Sequence, residues 1–175
     1  MQLLRSLPPE RLTPSRLWAM LDVDTRRSAA RALYDVDWDD EAGRLEADQA
    51  IASAMRFRPV AVRRLPVEKR VDYLLKAVHP DDSLGSSLLR ALHLLRRREL
   101  LCAFLDELGI PQEDGVIAAD HQVETPDPTQ LTPAVKRLFE RFPEAEIEVY
   151  LASLMAMDPD TWGGLAEVAR ESPAD

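Results

Sequence analysis

The sequence predicts an all-α protein, and three observations carry that expectation. Leu, Ala, Arg and Glu outweigh Val and Ile, the balance of helices rather than strands. Thirteen prolines against six glycines point to many helices punctuated at their starts. The longest run of good helix formers, Ser83 to Leu108, contains no proline and only Gly85 near its beginning. Together they predict seven to eight helices in an orthogonal or hairpin-repeat bundle around a long central helix, at about residues 83–108.

In order along the chain, Leu12-Thr13-Pro14 sets the first helix, with Thr13 as N-cap and Pro14 in the first helical position. Leu12 and Leu17 stand where a hydrophobic staple would, and Leu17, Trp18 and Leu21 form the inner side. Asp24 or Thr25 is expected to cap a second helix reaching about Tyr34, with Ala29, Ala30 and Leu33 inward. Asp37-Trp38-Asp39-Asp40-Glu41 opens the third, because acids in a first turn complement the helix dipole. Hard cations also favour clustered carboxylates, but these lack the glycine-bearing loop spacing of an EF-hand. Ala47, Ala50, Ile51, Ala54 and Met55 give this helix a narrow apolar face that allows close approach. Arg58-Pro59 ends it. Leu65-Pro66 starts a fourth, with Val67, Val71, Leu74, Leu75 and Val78 as the cleanest amphipathic stripe in the chain. His79-Pro80 stops that helix, and Asp81 or Asp82 caps the next.

The central stretch has an internal switch. On a helical wheel Leu84, Leu88, Ala91, Leu92, Leu95 and Cys102 share one line, whereas Leu100, Leu101, Phe104, Leu105 and Leu108 share a nearly opposite one. The apolar face changes sides at Arg96-Arg97-Arg98. No Gly, Pro or cap residue lies between Leu88 and Leu108, so a continuous helix is expected, with a kink allowed at the arginines. Gly109 and Pro111 mark its end.

Residues 110–131 carry no helical period, an unusually long connection for a compact domain. They read as an ordered arm held by Val116 and Ile117, or as a linker around Pro126 and Pro128. Leu131-Thr132-Pro133 repeats the first start signal and predicts a helix facing inward with Val135, Leu138, Phe139 and Phe142. Pro143 begins another. Its Ile147, Tyr150, Leu151 and Leu154 share one side while Ala145, Ala152 and Ala156 line the other, so it can be sandwiched. Asp158-Pro159 caps a last helix with Trp162, Leu165, Ala166 and Ala169 inward, and Glu171–Asp175 is expected to fray. The chain is expected to form one domain over residues 1–175. A subdivision into a 1–109 core, a 110–131 arm and a 132–175 helical unit stands as the alternative.

Net charge is −9, unevenly spread. Residues 1–56 carry 8 basic and 10 acidic groups, residues 57–108 carry 10 and 7, and residues 109–175 carry 4 and 14. An acidic whole disfavours non-specific nucleic-acid binding. A single cysteine, Cys102, excludes an intrachain disulfide and reads as a small buried residue. The opening MQLLRSLPPERL has too short an apolar run for a signal peptide, and no window reaches the length of a membrane span, so a cytoplasmic location is expected.

Chemical motifs are scarce. None of His79, His93 and His121 forms a metal-binding pair at helical spacing, and one cysteine cannot build a zinc site. His93 falls on the polar side of the central helix, where it is expected solvated or hydrogen-bonded. Asp120-His121 sits in the long connection without a nucleophile motif. No glycine-rich phosphate loop or GxSxG elbow occurs. Arg26, Arg27 and Arg31 decorate the second helix, and Arg96, Arg97 and Arg98 form a second basic group that fans around the helix. The binding candidates are therefore Arg96, Arg97, Arg98, His93 and His121. The residues predict no catalytic or cofactor-binding group and no metal. The function expected by elimination is a protein–protein interaction or scaffolding module with an unidentified protein partner. A nucleic-acid-associated regulator and a metal-dependent helical enzyme are the alternatives. Arg97, in line with Leu101, Phe104 and Leu108, is expected to pair with Glu144, Glu146 or Glu148, the densest acids near an apolar helix, or with a loop acid, as the C-terminal helices dock across residues 97–108.

Overall fold

The computed structural model describes residues 11–118, 121 and 123–171, the side chain of residue 171 excepted. The opening segment up to Glu10, Asp120 of the Asp120-His121 pair and the last four residues of the expected fraying tail lie outside the described residues. The described chain is overwhelmingly helical: eleven helices and one hairpin of two two-residue strands. It divides into two compact units, Pro14–Arg96 and Arg97–Asp175, with Arg11–Thr13 grouped with the latter.

The first unit contains α1 (Pro14–Met20), α2 (Val23–Leu33), α3 (Glu41–Met55), α4 (Pro59–Arg63), α5 (Val67–Ala77) and α6 (Asp82–Arg96). Three of these helices start under an aspartate cap. Asp22, not Asp24 or Thr25, caps α2: its carboxylate accepts from the Asp24 and Thr25 amides at 2.9 and 2.8 Å. Asp40 caps α3 by accepting from Gly43 N–H at 2.8 Å, and Asp81 caps α6 through the Leu84 amide at 3.0 Å. The first-turn amide of Ser15 in α1 donates to the Asp82 carboxylate at 3.0 Å.

Helix α6 is the hub of this unit, packing against α1, α2 and α3. Leu84, Leu88, Leu89, Ala91 and Leu92 are buried on it, against Leu17 and Trp18 of α1 and Ala29, Ala30 and Leu33 of α2 in the same core. The alanines let α2 approach closely, as small residues do at helix crossings. α5 packs on α2 and α3 with Val71 and Leu74 inward. The face of α3 differs from expectation. Ala47 and Ile51 are buried with Asp48 and Ala52, while Ala54 is exposed and Ala50 and Met55 half-buried. The short α4, missed as a helix, is held by fully buried Val62.

The second unit contains α7 (Arg98–Glu107), β1 (Gln112–Glu113), β2 (Val116–Ile117), α8 (Pro128–Arg141), α9 (Glu144–Met157), α10 (Pro159–Trp162) and α11 (Leu165–Glu171). α9 is buried on nearly every side from Ile147 to Ala156, with only Glu148 and Leu154 half-buried, in keeping with a sandwiched helix. Phe104 of α7 meets Tyr150 edge-on and Trp162 at a tilt, both at 5.7 Å between ring centroids. α8 packs against α7, α9 and α11, and Glu107 pairs with Arg137 between α7 and α8.

Three further expectations are corrected. The helix expected over 83–108 is not continuous: it breaks at Arg97, whose φ of −134° and ψ of 28° leave the helical region. With the break, Leu84–Leu92 and Leu100–Leu105 each bury their own stripe, which one straight helix with opposed stripes could not do in a single core. The helix count rises above seven to eight because of this break, the extra α4 and a split of the last helix at Gly163–Gly164. Leu131-Thr132-Pro133 is not a helix start. α8 begins at Pro128 under a capping box in which Asp127 accepts from the Gln130 amide and the Gln130 side chain accepts from Asp127 N–H. Pro133 lies within the helix, and the Thr132 hydroxyl donates to the Pro128 carbonyl at 2.8 Å. The 110–131 connection begins as a hairpin, with Gln112 opposite Ile117 and Glu113 opposite Val116. Its two turn residues, Asp114 and Gly115, have φ of 53° and 83°, the mirror-image turn that matches strand twist.

Candidate functional site

The spacing of Asp24, Arg27, Ser28 and Arg31 puts all four on one face of α2. Arg96, the last residue of α6, comes to the same place, and the five line an open cleft of about 410 Å³ in the first unit. Two basic groups far apart in sequence are thus partly united. Each guanidinium is already engaged, however. Arg27 donates to Asp72 at 3.0 Å, and Arg31 grips Glu68 in a two-pronged pair at 2.9 and 2.8 Å. Arg96 donates to Asp35 at 2.6 Å.

The hydrogen bond from Arg31 holds the Glu68 carboxyl below its ordinary range, and that from Arg27 does the same for Asp72. Asp35 is lowered first by the Asp37 amide and further by Arg96. Glu68 and Asp72 come from the solvent side of α5, so the pairs also tie α5 to α2. Three cations face three partner carboxylates, and Asp24 adds a fourth acid, so the cleft carries no surplus positive charge. Its one hydroxyl, Ser28, has no histidine or cysteine beside it in the lining.

The other candidates do not join this cleft. Arg97 is half-buried in the second unit, where its guanidinium donates to the Glu146 carbonyl at 3.5 Å. Glu146 is among the glutamates expected for Arg97, and this contact is to its backbone carbonyl. Arg98 is exposed, 3.7 Å from an Asp114 carboxylate oxygen at the hairpin turn. His93 is buried at 3% exposure, not on a solvated face. The reason is that α6 is covered on several sides, so the wheel's polar side is also interior. His121 is exposed. Cys102 is half-buried in the second unit, its Sγ 3.5 Å from the Gln112 side-chain carbonyl. The break at Arg97 removes it from the Leu84–Leu95 stripe.

A buried polar cluster was not foreseen. Asp48, 4% exposed, accepts a hydrogen bond from the Tyr34 hydroxyl at 2.9 Å and lies 3.4 Å from Arg70 Nη1. The Arg70 guanidinium stacks over the Tyr34 ring, 4.3 Å from its centroid. Burial first, and then the Asp48 charge and hydrogen bond, pushes the Tyr34 phenol far above its ordinary range. The cluster ties α3 and α5 to the end of α2. A signal existed: Asp48 sits next to Ala47 and three residues before Ile51, inside the apolar face, where an acid requires a partner.

Among the described residues, no three His, Cys, Asp or Glu side chains converge in a way that could hold a metal ion. No helix among them is long and apolar enough to cross a membrane. No family model, curated protein or solved structure matches the chain.

Proposed function

We propose that this chain is a cytoplasmic protein–protein interaction or scaffolding module without catalytic activity. The observation that carries the reading is the closed pairing in the α2 cleft. The arginines that would grip a phosphate or a nucleic-acid backbone there, Arg27, Arg31 and Arg96, are each held by a carboxylate of their own unit. The net charge of −9 adds a repulsive field against polyanions. Helical units built this way offer partners rigid faces, and interface energy comes from a few aromatic, aliphatic and arginine anchors on such faces.

The test is capture of the tagged protein from its native cell after nuclease treatment, followed by reconstitution of the binary complex from purified components. A stoichiometric protein complex that survives nuclease is expected. Loss of the captured partner on nuclease treatment, or micromolar binding to random duplex with a steep salt slope, would favour the nucleic-acid regulator instead.

A further inference from the structure

The basic excess of the chain's middle is concentrated in one exposed stretch. Between Asp48 and Glu68 there is no acidic residue, and there are four arginines: Arg56, Arg58, Arg63 and Arg64. All four are exposed, and none pairs with a carboxylate among the described residues. This is the reverse of the α2 cleft, where every arginine is matched.

Apolar surface lies among these charges. Phe57 is 40% exposed and Val60 is 56% exposed. Val62 anchors the same short helix at 0% exposure, so α4 is fixed in place and its outward residues are held on a firm base. The Phe57 ring is held too, edge-on to Tyr73 of α5 at 5.7 Å between centroids. Arg56 occupies the left-handed position that ends α3, at φ 56° and ψ 37°, and the Phe57 amide closes the helix end by donating to the Ala52 carbonyl at 2.9 Å. Glycine is the usual residue at such a position, since it alone adopts it without strain. An arginine there accepts a conformational penalty while adding charge to the patch.

We infer that Arg56–Arg64 is the docking surface for an acidic peptide segment of a protein partner, with carboxylates on the arginines and an apolar side chain against Phe57 and Val60. The inference rests on the interaction-module reading and names the chemistry of the partner. Guanidinium groups pair carboxylates through two parallel hydrogen bonds, and arginine and aromatic residues are the side chains enriched where interfaces form. A short peptide is favoured over a nucleic acid or an anionic membrane by charge. A short peptide meets mainly the nearby arginines, because charges beyond a Debye length of roughly 8 Å are screened. A long polyanion or a membrane also meets the repulsion of a chain with net charge −9.

The test uses the full chain and a fluorescein-labelled peptide of repeated Asp-Glu-Leu, read by anisotropy, with repeated Asp-Glu-Ser, random duplex DNA and phosphatidylserine vesicles as competing arms. The Leu peptide is expected to bind most tightly and to weaken as salt rises. Arg58→Glu with Arg63→Glu should weaken it at least about tenfold with an unchanged helical spectrum. Arg56→Gly should weaken binding by about threefold while leaving the unfolding midpoint equal or higher, a combination that a purely structural role for Arg56 would not produce. The proposal is overturned if the Leu peptide binds no better than the Ser peptide, if the double variant binds normally, or if DNA or vesicles bind more tightly. If a captured partner binds the double variant like the wild type, this surface is wrong and the module reading stands. If capture yields no protein partner, the module reading itself falls.

Discussion

Removing the Asp48 carboxylate should destabilise the first unit by about 3–4 kcal/mol, and the size follows from its surroundings. Asp48→Ala leaves the Tyr34 hydroxyl, on a residue 7% exposed, without its acceptor. An orphaned buried hydroxyl costs about 1–3 kcal/mol. It also strips the counter-charge from Arg70, whose side chain is 17% exposed, and breaking a buried ion pair costs about 3–5 kcal/mol. The two losses share groups and do not add in full. Arg70 also keeps its stacking on the Tyr34 ring and can turn partly toward water, which places the result toward the lower end. Tyr34→Phe alone should cost about 1.5 kcal/mol, since it deletes one hydrogen bond to a charged acceptor. In the Asp48→Ala background the same change should cost almost nothing, giving a coupling of about 1.5 kcal/mol in a double-mutant cycle. Urea unfolding at neutral pH, with α-helical circular dichroism as the signal, measures all four corners. A cost below about 1 kcal/mol for Asp48→Ala, or an equal Tyr34→Phe cost in both backgrounds, would refute the cluster as a stabilising unit.

Gly85→Ala should be destabilising by about 1–3 kcal/mol although alanine is the better helix former. A Cβ there would stand 2.9 Å from the Pro14 carbonyl carbon and 3.1 Å from its oxygen, forcing α1 away from α6. A gain in unfolding midpoint would show that α1 does not sit this closely. Leu92→Ala should cost about 2–5 kcal/mol because Leu92 is 1% exposed at the hub helix; a near-neutral result would mean the face is open. Alkaline pH should weaken both units. Burial, first of all, holds the Tyr34 and Tyr150 phenols well above their ordinary range, so the folded chain keeps protons that the unfolded chain releases above about pH 10. The stability present below that pH is therefore lost above it, at about 1.4 kcal/mol per pH unit for each tyrosine. Urea titrations on either side of about pH 10 check the slope, and Tyr34→Phe should flatten it for the first unit.

The fold class and most helix cores were legible because they rest on local composition and period. Leu65-Pro66 and the Val71–Leu74 stripe, the alanine face of α2 and the two-sided α9 all follow from spacing alone. The break at Arg97 was not legible. Arg96, Arg97 and Arg98 are good helix formers, and only burial of opposed stripes overrides that preference. At the start of α8 a visible signal was outcompeted. Leu131-Thr132-Pro133 resembles a start, but Asp127-Pro128 with Gln130 three residues after the cap is the stronger capping pattern. Asp114-Gly115 was readable as a hairpin turn and was hidden only by the length of the connection around it. For the cleft, each arginine group could be read, yet bringing Arg96 to Arg27 and Arg31 depends on how α6 packs on α2. The acids that neutralise them, Asp35, Glu68 and Asp72, belong to other segments. The Arg56–Arg64 patch depends on exposure, which sequence spacing around a five-residue helix does not resolve.

Pro14–Arg96 encloses its own core, with α6 as hub and the helical run ending at Arg97. Expression of residues 14–96 alone, followed by circular dichroism through a urea titration, tests this most directly. A strongly helical spectrum and one cooperative unfolding transition are expected. A disordered spectrum, or a gradual loss of signal without a transition, would contradict it.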